Sequence, residues 1–270
     1  MGWGWVMFRR ALALALLAAW PAFADPVDPA LQSAVENPAR SAPNRARDPY
    51  RHPAEALSFF GVKPESVVVE IDPGGSGFWT EILAPYLKAK GRYIAAGPEA
   101  TSDEARRGAA AFAAKVAADP AAYGKVETVT FSPDHPGFAP AGAADFVLTF
   151  RNLHNWMKDG SAEATLRSFY AALKPGGVLG IEDHRAFDAQ PQDPAAKSGY
   201  VRQDYAVKLI ESVGFKYVGS SEISSNPKDT KDYSVGVWAL PPTYRFKEVD
   251  RAKYQAIGES DRFTLKFAKP

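Results

Sequence analysis

Residues Val67 to Glu81 read VVVEIDPGGSGFWTE: a β-branched run ends in an acid, breaks at once into glycines, and leads into a helical pattern. An unbroken Val/Ile run is the mark of a strand buried on both faces, as in a parallel sheet. In open α/β sheets ligands sit outside the carboxyl ends of the strands, where glycines let the backbone come close. The stretch therefore requires an α/β architecture and locates a site, but does not name the ligand.

Two ligand classes use this geometry. A dinucleotide needs GxGxxG, and the best alignment, Gly75, Ser76, Gly77, puts Thr80 where the third glycine belongs. The stretch resembles instead the first motif of S-adenosylmethionine (SAM)-dependent methyltransferases, with Glu70 as the strand acid and Gly74 as the middle glycine of a looser GxGxG. It departs from that motif at Asp72 and Ser76, which stand in place of two glycines, and Gly77 falls one position late. Taken alone, the loop suits a nucleoside site and a purely structural tight turn equally.

Around this loop, strand and helix patterns alternate. Strands are expected at Ser66–Ile71, Arg92–Ala96, Val126–Phe131, Asp145–Phe150 and Val178–Glu182, with a final pair at Phe215–Ile223 and Tyr233–Leu240. Helices are expected after the glycine loop, over Ser102–Ala118, around Leu166, Phe169, Tyr170 and Leu173, and around Ala206, Leu209, Ile210 and Val213. The late strand pair lacks an intervening helix, which implies an antiparallel edge on an otherwise parallel sheet. The expected fold is a Rossmann-like, doubly wound, mostly parallel sheet of seven strands with an antiparallel edge. The expected segments are an arm over residues 25–64, extended until a short helix at Ala54–Phe60, a main domain over 65–242, and a C-terminal extension over 243–270, a helix plus a short strand, packed on it.

The N-terminus is expected to lie outside that fold. Arg9 and Arg10 precede a ten-residue apolar run, Ala11–Trp20, and Ala22, Phe23, Ala24 form a small-x-small cleavage site. The run is too short for the roughly 20 residues of a membrane span, so it reads as a cleavable signal peptide of residues 1–24, leaving a periplasmic or secreted protein without a stable membrane anchor. Without that leader the chain has 30 basic and 31 acidic residues, and no basic cluster suggests nucleic acid as a partner. The absence of cysteine excludes disulfides, a lipoprotein anchor, thiol catalysis and cysteine metal sites.

The segment Phe150–Asp183, FRNLHNWMKDGSAEATLRSFYAALKPGGVLGIED, extends the resemblance. It is similar to the class I SAM-dependent methyltransferases, whose fourth strand ends in an RNxLHxW-like segment and whose fifth follows a LeuLysProGlyGly turn. The leader, PYRHPAE, EILAPYL and ESDRFTLKF further resemble a group of exported predicted methyltransferases of Gram-negative bacteria, a group that informs fold better than reaction.

The resemblance implies SAM as cofactor and a small-molecule acceptor. Glu70 would hold the loop or the amino-acid part of SAM, while Asp72, Gly74, Gly75, Ser76 and Gly77 would form the cradle. Glu99 is the acid nearest the ribose position, Asp134 the candidate adenine contact, and Asn152 would line the pocket floor. His154 matches the histidine general base of small-molecule O-methyltransferases, with Asn155 in place of the usual acid, and His184 is a second candidate. Each has a plainer reading: Glu99 and Asp134 as solvated loop acids, His154 as a histidine satisfying loop carbonyls beneath Trp156.

A metal is not expected, because Glu182, Asp183 and His184 are consecutive on one strand, should point to alternate faces and so cannot all reach one ion. The lack of AsnProProTyr after the fourth strand argues against adenine or amide nitrogen as acceptor, and Tyr50, Phe78, Trp79, Trp156 and Tyr200 would favour an apolar or aromatic one. The alternative is a periplasmic binding or scaffold protein that keeps the fold without the reaction.

Overall fold

The computed structural model describes Met1 and residues 27–132 and 137–270. The expected leader and Asp134 lie outside the described residues. Four short helices open the described chain: α1 (Pro29–Val35), α2 (Ala42–Arg45), α3 (Asp48–Arg51) and α4 (Pro53–Phe60). The alternation then runs β1 (Val67–Ile71), α5 (Thr80–Leu87), β2 (Arg92–Pro98), α6 (Asp103–Ala118), α7 (Pro120–Tyr123), β3 (Glu127–Phe131) and β4 (Ala144–Phe150). It continues with α8 (Leu153–Lys158), α9 (Ala162–Ala172), β5 (Leu173–His184), α10 (Gln203–Ser212), β6 (Lys216–Ser221), α11 (Arg251–Ile257) and β7 (Arg262–Ala268).

The seven strands form one sheet in the order β3-β2-β1-β4-β5-β7-β6. Pairings among β1 to β5 are parallel, and β7 runs antiparallel to both β5 and β6. The order reverses between β1 and β4, and β1, β4 and β5 end together in the region where open α/β sheets bind ligands.

The C-terminal part of the chain departs from the sequence expectation. Tyr233–Leu240 forms a 3₁₀ turn over Gly236–Ala239 instead of a strand, because Gly236 adopts φ 64° and Pro241 and Pro242 follow. The antiparallel strand comes from the tail. In RFTLKFA the alternation is clean, and Phe263, Leu265 and Phe267 are completely buried on one face, worth roughly 2 kcal/mol each. The helix and short strand expected of the tail are present as α11 and β7, with the strand built into the sheet between β5 and β6 instead of lying on the body.

The N-terminal arm is helical, not extended. Each of its four helices starts on a proline at the first or second position, where φ is preset and the missing N–H costs nothing. The arm docks on one face of the sheet. A Cβ on Gly180 would come within 2.8 Å of the Phe60 ring, so glycine in β5 is what allows α4 to approach. Leu31, Leu57 and Phe60 join Val68, Leu148 and Phe150 in that layer, and α8, α9 and α10 cover the other. No helix of the described residues is long and apolar enough to cross a membrane.

Candidate active site

At the carboxyl end of β1 the chain turns through Asp72, whose φ of 51° is left-handed, and its N–H donates to the Ala96 carbonyl at 2.8 Å. Gly74 follows at φ 65° and would carry a Cβ into open space, as would Gly97 at the end of β2. These two glycines form an open edge where a ligand can reach the backbone. Gly75 and Gly77 face the protein instead: a Cβ on Gly75 would lie 3.2 Å from Ala111, and one on Gly77 3.1 Å from the Lys115 side chain, both on α6. Ser76 is tied from the arm, its carbonyl accepting from Asn44 Nδ2 at 3.0 Å.

Glu70 points under the loop. Tyr93 donates a short hydrogen bond to its carboxyl, and Thr80 at the start of α5 shares the Tyr93 hydroxyl at 2.7 Å. Burial pushes the Glu70 carboxyl up to about 8, against the opposing Tyr93 bond, so the group is largely protonated at neutral pH. Glu70 thus braces the loop. Burial also raises the Asp72 carboxyl, opposed by the Gly74 N–H and by Arg151. Glu99 is exposed on the surface beyond β2.

At the end of β4, Asn152 bridges two strands, donating from Nδ2 to the Ile71 carbonyl at 3.2 Å and to Thr149 Oγ1 at 3.1 Å. The first turn of α8 then presents His154 to Asp183 on β5. The Asp183 carboxylate accepts the His154 N–H and the His184 N–H, each at 2.8 Å, and lies 2.9 Å from His154 Nδ1. A carboxylate can only accept, so Nδ1 carries the proton and Nε2 keeps a lone pair. Backbone donors fix the carboxylate, the carboxylate fixes the ring, and the product is an oriented imidazole.

His184 lies beside it, the ring centroids 5.1 Å apart, with its Nδ1 2.5 Å from Ser260 Oγ. Burial, with His154, Arg151 and Arg262 adding to it, holds His184 well below the ordinary imidazole range and so neutral. Contrary to the expected divergence, Asp183 and His184 converge: His184 Nε2 lies 4.0 Å from Asp183 Oδ1. With His154 they form a group whose possible metal-ligand atoms all lie within 4.8 Å. Only Glu182 turns away, accepting from Ser224 Oγ at 2.6 Å. Asp183 already accepts several N–H groups, which favours its use as an orienting acceptor.

The expected aromatic pocket is mostly core. Trp79 stacks on Phe150 at 3.9 Å, Trp156 packs on Phe169 at 5.3 Å, and Tyr200 donates to Asp229 at 2.9 Å. The aromatic beside His154 is Trp238, edge-on at 5.9 Å, which the mistaken strand had concealed. Ser260 and Arg151 were also missed as site residues. A positive φ at Arg151, 65°, is not legible from its neighbours, but its place in RNLH, against the strand end, was the available signal.

No family model and no curated protein matches this sequence. Solved structures do match its fold. A SAM-dependent methyltransferase from Aquifex aeolicus aligns with a TM-score of 0.56 at 15% identity, covering 83% of this chain and 93% of that one. An arsenic(III) SAM methyltransferase from Chlamydomonas reinhardtii gives 0.53 at 13% identity, over 89% and 73%. The [4+2]-cyclase SpnF gives 0.57 at 13% identity, over 82% and 80%, so proteins with different printed reactions share this architecture. Gly74 and Gly97 leave the backbone open at the ends of β1 and β2, and among the described residues the acid nearest the end of β2, Glu99, is exposed. With its seven-stranded mixed sheet and its loop-and-strand-end site, the chain has the α/β fold of the SAM-dependent methyltransferases.

Proposed function

We propose that the chain is a SAM-dependent methyltransferase acting on the hydroxyl of a small molecule, exported by its N-terminal leader, with His154 as general base. The observation that supports this most is the pairing of His154 Nδ1 with Asp183 at the strand ends, beside the loop that opens at Gly74. SAM supplies an electrophilic methyl carbon when bound. The chain's own part is to hold the acceptor in line with that carbon and to remove its proton. Asp183 keeps His154 in the tautomer whose Nε2 can take that proton, and it stabilises the imidazolium that results. His184, held neutral by burial, serves as the dry wall behind His154.

Asp72, Gly74 and Gly97 would receive the nucleoside, with Glu70 bracing the loop and Asn152 locking the ends of β1 and β4 together. A second reading, a ligand-binding protein that has lost the reaction, is favoured by one feature: Gly75 and Gly77 serve packing against α6. The two readings separate in His154→Ala. In SAM consumption assays with hydroxylated acceptors, the enzyme reading expects this variant to bind SAM normally and to lose turnover. Normal turnover in the variant would make His154 structural.

A further inference from the structure

Four arginines converge where the arm meets the ends of β4 and β7. Arg47 and Arg51 come from the arm, Arg151 follows β4, and Arg262 opens β7. Glu259 accepts from three of them, at 2.6 Å from Arg47 Nε, 3.2 Å from Arg51 Nε and 2.6 Å from Arg262 Nη1. Arg262 also lies 3.3 Å from Glu182. Four guanidinium groups thus face two carboxylates, with Asp72 a third acid acting on Arg151.

Arg151 stands apart. Its side chain makes no hydrogen bond or ion pair among the described residues, and its Nε is buried without a partner. Desolvation pulls its pKa down. Arg51 and Arg47 each also leave a buried Nη2 unbonded, and the Phe78 ring, 4.6 Å beneath Arg51, orients that guanidinium. Arg151 is held at φ 65°, and its own N–H is fixed to the Glu182 carbonyl at 2.7 Å. A half-buried guanidinium whose Nε is buried without a partner, on strained backbone at a strand end, is a poor device for stability and a good one for binding.

We propose that Arg151, with Arg51 and Arg47, forms a receptor for an oxyanion, and that the acceptor is therefore a small hydroxylated carboxylate or phosphate. This rests on the methyltransferase reading for the hydroxyl, whereas the oxyanion site stands on the arginines alone. Planar guanidinium donors match carboxylate and phosphate oxygens, and the surplus positive charge supplies what those oxygens need. Arg151 precedes His154 by three residues at one strand end, so one ligand can span the anchor and the base.

The same chemistry could come from the carboxylate of SAM itself, and the test separates the sources. The full chain is titrated with inorganic phosphate, alone and with saturating S-adenosylhomocysteine, and then with S-adenosylhomocysteine alone, for the native protein, Arg151→Gln and Arg151→Lys. The expected result is that phosphate binds the native protein in both conditions. Arg151→Gln should lose about tenfold or more in phosphate affinity, Arg151→Lys less, and both should keep S-adenosylhomocysteine affinity within about twofold. In phosphate-free buffer Arg151→Gln should melt no lower than the native protein, because no partner is lost; a large fall in melting temperature would make Arg151 structural. Equal phosphate affinity in native and Arg151→Gln proteins overturns the proposal. So does displacement of phosphate by S-adenosylhomocysteine with a matching loss of that nucleoside's affinity in Arg151→Gln, which would assign the arginines to the cofactor. Arg151-dependent phosphate binding without any S-adenosylhomocysteine binding would sustain the oxyanion site and remove the methyltransferase reading.

Discussion

Nδ1 of His154 and Oδ1 of Asp183 lie 2.9 Å apart, both side chains buried where β4 and β5 end. The carboxylate that orients this imidazole is itself held by the backbone N–H groups of His154 and His184. Asp183→Asn keeps the shape but replaces an obligate acceptor by an amide that can present N–H to Nδ1. Turnover should fall by roughly 10²-fold or more, the range of general-base catalysis, with SAM affinity little changed. Single-turnover kinetics beside an equilibrium titration check this.

Glu70 makes stability depend on pH with a defined sign. Burial raises its folded pKa from 4.5 to about 8, so the folded state holds a proton that the unfolded state releases earlier. Its contribution is fully present below the unfolded value and is lost as pH rises through the folded one, on the order of a few kcal/mol across that window. Glu70→Gln should flatten this part of the stability curve between about pH 5 and 8. Denaturant unfolding over that range, native against variant, measures the difference.

Glu259 has the opposite sign. Burial works to raise its pKa, but Arg51, Arg262, Arg151 and Arg47 outweigh it and hold the carboxyl well below its ordinary range. That contribution is present above the unfolded pKa and lost as pH falls. Glu259→Gln leaves these four arginines facing one another and should cost about 3–5 kcal/mol, the usual result of removing one partner from a buried ion pair. Thermal unfolding at neutral pH is the check.

The glycines of the loop should divide by role. Gly74→Ala meets no neighbour, costs about 1–2 kcal/mol for its left-handed φ, and should weaken SAM binding by projecting a methyl group into the open edge. Gly75→Ala presses on Ala111 and Gly108 of α6 and should cost about 1–3 kcal/mol of stability while sparing affinity. Calorimetry and unfolding of both variants separate the two effects.

Much of this frame was legible in the sequence. Continuous Val/Ile runs and helical spacing placed β1 to β5 and their helices within a few residues, because buried parallel strands and amphipathic helices are written in local periodicity. The last strand was misplaced because Tyr233–Leu240 has strand composition, while RFTLKFA has strand alternation, and alternation was the better guide. LHxW and the end of β5 pointed to His154 and His184, and the fold brings the two rings together. Arg51, Arg151 and Glu259 were not, since what distinguishes them is convergence across the arm, β4 and β7, separated in sequence by 100 residues or more. Asp183 was read with its strand neighbours alone: Glu182 does turn away from it, but His184 stays beside it and α8 brings His154 back to it.

The central claim is that the opening at Gly74 receives SAM, and isothermal titration of the chain with SAM and with S-adenosylhomocysteine tests it most directly. One-site binding of both, with sub-millimolar dissociation constants, is the predicted result; the absence of heat from either ligand at millimolar concentration would contradict it.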